Sequence, residues 1–526
     1  MPRSGPGFHA LMLAAALASC ATIPADYPAS PSYAFDQPGE TRLGRAFAAE
    51  QARHEGLSGF RLLQGGIGAL MTRAALADLA ERSIDLKYFI YEADETGAFL
   101  LEKLMAAAER GVRVRVLLDD YALGFPDLAL ARIMDQHPRI EIRIFNPFPD
   151  RARWSRSLQV AFQLDRLGRR MHNKVYAVDG QVAILGGRNI GNHYFEGQAD
   201  SNFRDLDVLA AGPVVREVSR QFDEYWNSPL AVPLAAFAAR SPADAAEDDR
   251  LSEIRRLATS AHGPHVEYTG RKQVYLDRLL KGDPDMIWAK GTVVAEAPVR
   301  EVADESRSSR SLSTISRRLG IERDSVSNEL VMVMAYYVPG PRGVEVLSEI
   351  RRRGVRVRIL TNSLASTDLV AVHAGYSRYR EALLAAGVEL HEYRPDAQRP
   401  AREGHSMRLG ESESALHAKV VVYDRRLVWI GSANSDPRSR RLNTEGGFLI
   451  ESPALAERLL ARIEDDFSFQ HSWRLALEDG DAGKRIAWTG IVNGEFVRLV
   501  DEPGADMTRR FRAWLYSLMP GLEGML

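Results

Sequence analysis

The sequence predicts an α/β protein built from two similar halves. Three observations carry that prediction. Each half alternates an apolar strand, an amphipathic helix and a second apolar strand. The helix-to-strand joints of the two halves, Gly111 and Gly354, lie 243 residues apart. A second pair of segments, MHNKVYAVDGQVAILGGRN from Met171 and LHAKVVVYDRRLVWIGSAN from Leu416, repeats with 245 residues between His172 and His417.

At the N-terminus, Arg3 precedes an apolar run from Ala10 to Ala18. The run is too short for a membrane-crossing helix, which needs ~20 residues, and suits the core of a signal peptide. It ends Leu17-Ala18-Ser19-Cys20, which resembles the lipobox of bacterial lipoproteins, with Cys20 as the lipidated first residue of the mature chain. Ala21 follows, not aspartate; by the same resemblance this implies sorting to the outer membrane, facing the periplasm. Cys20 is the single cysteine, so no intramolecular disulfide or cysteine-based zinc site can form. Residues 1–20 are therefore expected to be a signal peptide. Residues 21–59, with YPASPSYAFDQPGE from Tyr27, are expected to be a tether.

The first half is placed at 60–233. IDLKYFIY from Ile84 reads as a strand, and Leu100, Leu101, Leu104, Met105 and Ala108 share one face of the helix that follows. Gly111 stops the helix, and VRVRVLL returns as a buried strand. The second half, at 326–475, repeats this with ELVMVMAYYV, the face Val346, Leu347 and Ile350, the stop Gly354, and VRVRIL. Strand, helix, strand implies parallel βαβ units. Residues 234–325 read as a polar connection with some structure of its own. Residues 476–526, with Trp488, Phe496 and Trp514, read as a folded appendage. The formal net charge of −2 lacks the basic excess usual in nucleic-acid binders.

The paired segments carry the chemistry. The first holds His172, Lys174, Asp179, Gly186, Gly187 and Asn189; the second holds His417, Lys419, Asp424, Gly431, Ser432 and Asn434, with the same gaps. Residues i and i+2 of a strand point to one face, so each histidine projects with its lysine. Asp179-Gly180 between apolar runs predicts a hairpin turn, whose return strand brings the glycines and the asparagine back beside the histidine. Together the halves would offer two imidazoles and two ammonium groups around one point. A phosphodiester suits such a site: lysines hold its oxygens while imidazoles attack and protonate. A neutral histidine also needs an acceptor on its other nitrogen. The second copy offers Glu445; the first offers Asp205 or Asp207, and counting back seven residues from Gly212 and Ser452 favours Asp205.

The pattern resembles the HxKxxxxD–GGxN motifs of the phospholipase D superfamily. GGRNIGNHYF, FRDLDVLAAGPVV and GSANSDPRSRRLNTEGGFLIES are similar to its cardiolipin synthase branch, and VEYTGRKQVY, LTNSLASTD and VHAGYSRYR to the C-type members. The resemblance, over about residues 60–526, implies two tandem α/β domains, mixed sheets flanked by helices, with the active site at their interface. It implies neither metal nor cofactor. It further implies a covalent phosphohistidine, with His172 as nucleophile and His417 as acid and base; the residues themselves leave that order open. Lys174, Lys419, Asn189 and Asn434 would hold the phosphoryl oxygens. Asp179 and Asp424 belong to the motif, but their turn positions suggest a structural role. Ser432 departs from the second glycine. Five extra residues separate Asn189 from Asp205 relative to the second copy.

The function so implied is transfer of a phosphatidyl group to phosphatidylglycerol, making cardiolipin, with a second phospholipid as a possible donor and the membrane reached through Cys20. A phospholipase D hydrolase is the alternative. A nuclease fits the charge and the anchor less well, and an inactive scaffold fits poorly with two intact motifs. Tyr336, Tyr337 and Trp429 are aromatic candidates near the site, with core packing as their plainer role.

Overall fold

The computed structural model describes residues 27, 29–121, 125–148, 164–197, 201–238, 245–258, 263–298, 313–396, 413–480 and 483–519. In the first half lie β1 (Ser58–Leu63), β2 (Ser83–Tyr88), β3 (Arg113–Asp119), β4 (Ile140–Phe145), β5 (Val175–Val178), β6 (Val182–Gly186), β7 (Ser201–Arg204), β8 (Asp207–Ala211) and β9 (Ala231–Pro233). The connection supplies β10 (Ile287–Ala295). The second half holds β11 (Glu329–Met334), β12 (Arg356–Asn362), β13 (Glu389–Tyr393), β14 (Glu413–Leu416), β15 (Lys419–Tyr423), β16 (Leu427–Gly431) and β17 (Gly446–Glu451). The end of the chain adds β18 (Ser472–Gly480), β19 (Gly483–Val492) and β20 (Glu495–Leu499).

Strand order exposes the duplication. The run β4-β3-β2-β5-β6-β8-β1 is matched by β13-β12-β11-β15-β16-β17-β10, and β1 pairs antiparallel with β10. The pairs β2–β3, β3–β4, β11–β12 and β12–β13 are parallel, as the strand-helix-strand reading requires. The rest of that run is antiparallel, so each sheet is mixed. Through β1 and β10 the two sheets become, among the described residues, one sheet of 18 strands.

Side-chain alternation decides what each face meets. Val175 and Ala177 on β5, and Val420 and Val422 on β15, point into a core shared by the two halves. Their neighbours Tyr176 and Val178 face the helices of the first half, and Val421 and Tyr423 those of the second. Period-2 burial on both faces explains why these strands read as continuous apolar runs.

Two segments differ from expectation. The described part of the expected tether, 29–59, is packed structure. Thr41 caps the helix Arg42–Arg53, accepting from the Gly44 amide at 3.0 Å, and Leu43 and Phe47 are buried in the first core. Upstream, the Ser30 and Ser32 carbonyls each accept from a buried arginine, Arg143 and Arg115, at 2.8 Å. Buried guanidinium groups need acceptors, and this Pro- and Ser-rich strap supplies them. The connection has structure of its own, as expected, and its β10 splices the sheets. The boundary at 475 cuts through β18, which pairs with β13 and so belongs to the second sheet. The expected signal peptide, Cys20 included, lies outside the described residues. Among the described residues no helix is long and apolar enough to cross a membrane.

Candidate active site at the interface of the halves

The hairpins form as the spacing predicts. Asp179 and Gly180 take φ of 54° and 61°, and Asp424 and Arg425 take 49° and 53°. Positive φ at both central positions defines the I′ turn that matches strand twist. The second turn tolerates an arginine where the first has glycine, and the strap explains the difference: a Cβ on Gly180 would run into the Phe35 carbonyl. The two aspartates sit at the far end of the hairpins from the histidines, roughly 20 Å along the strand at ~3.3 Å per residue. Asp179 is fully buried and accepts from the backbone amides of Glu81, Arg82 and Ser83 at 3.0, 2.8 and 2.9 Å. Asp424 does the same for Ser327, Asn328 and Glu329 at 2.9, 2.7 and 3.0 Å. Each pins the start of the neighbouring strand; neither stands with the histidines as a catalytic group would.

At the other end, both motifs converge on the interface. His172, Lys174, His417 and Lys419 are all buried. The acids that orient the histidines are crossed between the halves. His172 Nδ1 meets Glu445 Oε2 at 2.8 Å, and His417 Nδ1 meets Asp205 Oδ2 at 2.5 Å. Each copy offers one acid, and the structure sets it against the histidine of the other copy. The backbone explains the exchange. The His172 amide donates to the Thr444 carbonyl at 2.9 Å and the His417 amide to the Arg204 carbonyl at 2.8 Å. Each histidine is thus tied to the residue just before the other half's acid. The five extra residues of the first copy belong to the stretch that carries β7, which crosses the interface to pair in parallel with β14.

Of the two aspartates, it is Asp205 that stands against an imidazole, and that imidazole belongs to the other half. Asp207 is fully buried but serves structure, pairing with Arg73 at 2.8 Å and Arg188 at 3.5 Å. Gly187 is required by Asp205, because a Cβ there would overlap its carboxylate. In the second copy the longer Glu445 leaves room for Ser432, whose hydroxyl donates to Glu445 Oε2 at 2.5 Å. Glu445 Oε1 accepts from Ser439 Oγ at 2.9 Å and Asn443 Nδ2 at 3.3 Å.

Lys174 Nζ donates to the His172 carbonyl at 2.5 Å, and Lys419 Nζ to that of His417. Asn189 departs from the expected role. Its Oδ1 accepts from the Ile90 amide at 3.2 Å and its Nδ2 donates to Tyr194 Oη at 2.8 Å, so the side chain is committed to the scaffold. Among the described residues, Asn434 Oδ1 is buried without a hydrogen-bond partner.

Burial sets the electrostatics. It pushes His172 down to about 4, with Glu445 opposing and Lys174 adding to the fall. Burial, then Lys419, lowers His417, with Asp205 opposing. Both imidazoles are therefore neutral near pH 7. Burial also lowers Lys174 to about 7 and depresses Lys419. For the acids, burial acts upward but their partners outweigh it: His417, Lys419 and Arg188 hold Asp205 at about 2, and His172 and Lys174 hold Glu445 below the usual carboxylate range. A neutral histidine whose Nδ1–H is donated to a carboxylate keeps the Nε2 lone pair for chemistry.

Sequence reasoning missed the aromatic walls. Phe89 meets His172 edge-on at 5.1 Å. Tyr194 and Phe203 contact His417 at 5.3 and 5.0 Å. Phe203 lies two residues before Asp205, a spacing that would place both on one strand face. Of the three aromatic candidates, Tyr337 and Trp429 are core residues, whereas the Tyr336 ring lies 6.0 Å from Lys419 Nζ.

Fold and site together define a two-domain protein whose paired histidine–carboxylate units and lysines face one another across a pseudo-symmetric interface. The family described as "Cardiolipin synthase, PLD-like domain" matches residues 74–226 and 324–467. The chain belongs to this family and is a cardiolipin synthase homologue of the phospholipase D superfamily. It is 37% identical to cardiolipin synthase C of Escherichia coli K12, over 91% of this chain and 98% of that protein. Cardiolipin synthase B of the same strain is 27% identical, over 72% of each chain. The crystal structure of phosphatidylserine synthase from Haemophilus influenzae Rd KW20 shares the fold, with a TM-score of 0.53 at 15% identity, covering 82% of this chain and 92% of that one.

Proposed function

We propose that this phosphatidyltransferase makes cardiolipin by two in-line displacements at phosphorus. In the first, His172 Nε2 attacks the phosphorus of one phosphatidylglycerol. The bond to the glycerol oxygen breaks, and the departing alkoxide takes from His417 Nε2 a proton that His417 has taken up on binding the anionic phosphodiester. In the second, the now neutral His417 removes a proton from the hydroxyl of another phosphatidylglycerol. That oxygen attacks phosphorus, the P–N bond breaks, and His172 is restored. Lys174, Lys419 and Asn434 face the phosphoryl oxygens.

The observation that carries this reading is the crossed pairing, which gives both histidines an oriented Nε2 at one interface. The surroundings support His172 as nucleophile. Glu445 divides its oxygens among His172, Ser432, Ser439 and Asn443, whereas Asp205 serves His417 and the Leu206 amide. His417 has the less shared carboxylate behind it, and so is the better placed to hold a proton. The protein is further proposed to be a lipoprotein acylated at Cys20 and held at the periplasmic face of the outer membrane.

The test uses phosphatidylglycerol labelled in its headgroup and acyl chains, presented in vesicles. Cardiolipin and free glycerol in equal amounts are expected. Phosphatidic acid as the sole lipid product would replace this reading with a hydrolase.

A further inference from the structure

The helix Met507–Ser517 is docked the wrong way round for a helix covering a water-soluble core. At 100° per residue, Met507, Phe511, Trp514, Leu515 and Leu518 fall within an arc of about 100°. All five face solvent, with exposures of 80, 59, 55, 49 and 58%. The opposite side does the docking: Ala513 and Tyr516 pack on a small cluster of Leu364, Val370 and Ala505. A helix that buries its small and polar side and presents Trp, Phe and Leu outward is shaped for a second apolar phase.

We propose that this face docks on an anionic phospholipid bilayer and seats the active site there. Charge complementarity selects that occupant: Met507 to Met519 holds no acidic residue, and of its three arginines Arg509 and Arg510 bond the protein's own carbonyls while Arg512 is exposed beside the apolar face. Continuity with the site selects it too. Arg509 Nη1 donates to the carbonyls of Leu364 and Thr367, at 3.1 and 2.7 Å, fixing the helix to the loop that follows β12. The same loop holds Asp368, which accepts from Tyr336 Oη at 2.6 Å, and Leu369, 48% exposed. Tyr336 is the aromatic neighbour of Lys419. One short connection therefore joins the apolar face to the catalytic lysine. The inference deepens the phosphatidyltransferase reading, and only its activity arm depends on it.

The test uses the full chain with Phe511→Glu and Trp514→Glu combined, both exposed positions where folding is spared. On phosphatidylglycerol vesicles the variant should turn over at least about tenfold more slowly than wild type, through lost docking. On short-chain phosphatidylglycerol dispersed as monomers the two should agree within about twofold. Equal rates on vesicles would overturn the proposal. A binding arm needs no turnover and separates its failure from failure of the proposed reaction. Chain-brominated lipids in phosphatidylglycerol–phosphatidylcholine vesicles should quench the fluorescence difference between wild type and Trp514→Phe. An unquenched difference overturns the proposal, as does a wild-type dimer in sedimentation that the double variant converts to monomer, since a second copy would then be the occupant.

Discussion

Replacing Glu445 by glutamine removes one charge and one acceptor at a site where every acceptor is used. Both carboxylate oxygens of Glu445 receive donors: His172 Nδ1 and Ser432 Oγ on one, Ser439 Oγ and Asn443 Nδ2 on the other. A glutamine must turn its NH2 toward one of these pairs. If it faces His172, the imidazole accepts at Nδ1 and carries its proton on Nε2, leaving no lone pair to attack phosphorus. If it faces the other pair, an unsatisfied buried donor costs about 1–3 kcal/mol. Glu445 acts to raise the His172 pKa, so its loss moves His172 further below 4 and cannot charge the ring at pH 7. The defect is one of tautomer, and the comparable change in a serine-protease triad costs about 10⁴-fold. The assay uses phosphatidyl-p-nitrophenol, whose leaving group departs without a proton. Under the proposed mechanism Asp205→Asn, which disorients the acid, still gives a nitrophenol burst and stalls at the phosphoenzyme. Glu445→Gln gives no burst. A burst from Glu445→Gln within about tenfold of wild type would refute the argument. A burst abolished only by Asp205→Asn would reassign the nucleophile to His417.

Asp179→Asn removes a carboxylate that gathers three backbone amides, and should destabilise by about 2–3 kcal/mol, seen in denaturant midpoints, with turnover per folded molecule retained. Asp424→Asn, half-exposed, should cost less. Gly187→Ser, the residue of the other copy, drives Asp205 off His417 and should lower turnover by about 10²-fold or more. Ser432→Gly removes one of four donors to Glu445 and should be milder, by about tenfold. Lys174 is a cation below about 7 and loses its proton as pH rises through that value. The kcat/KM of the free enzyme should therefore fall above pH 7, whereas kcat should hold to higher pH because bound phosphate stabilises the ammonium; parallel profiles would refute this.

What the sequence made legible follows from local geometry. Residues two apart on a strand share a face, so His172 with Lys174 and His417 with Lys419 could be paired from spacing alone. The Asp179-Gly180 turn and the register that favours Asp205 rest on equally local rules. The exchange of acids was not legible, because it depends on how one half rotates onto the other. Asn189 illustrates a second limit. Its amide is used by Tyr194, and nothing in GGRN distinguishes a free donor from a committed one. The strap at 29–59 departs from a tether because Pro and Ser composition describes a chain without its partners, and the buried Arg115 and Arg143 are such partners.

The crossing also bears on why two copies are needed. Each half alone contains a histidine, a lysine and an acid, yet its acid points to the other histidine. An oriented imidazole exists only when both halves are packed, so assembly of the interface and assembly of the site are one event. This is the arrangement of a two-fold dimer, in which residue i meets j and j meets i. Strict symmetry, however, would hold the two histidines in the same protonation balance, whereas displacement at phosphorus needs one as nucleophile and one as proton donor. Joining the copies in one chain lets the environments diverge, and they have. Glycine with a short aspartate stands behind His417, serine with a longer and more widely shared glutamate behind His172. Tyr194 and Phe203 wall one ring, Phe89 the other. The asymmetry that the proposed chemistry requires is built from those few differences laid over an otherwise repeated scaffold.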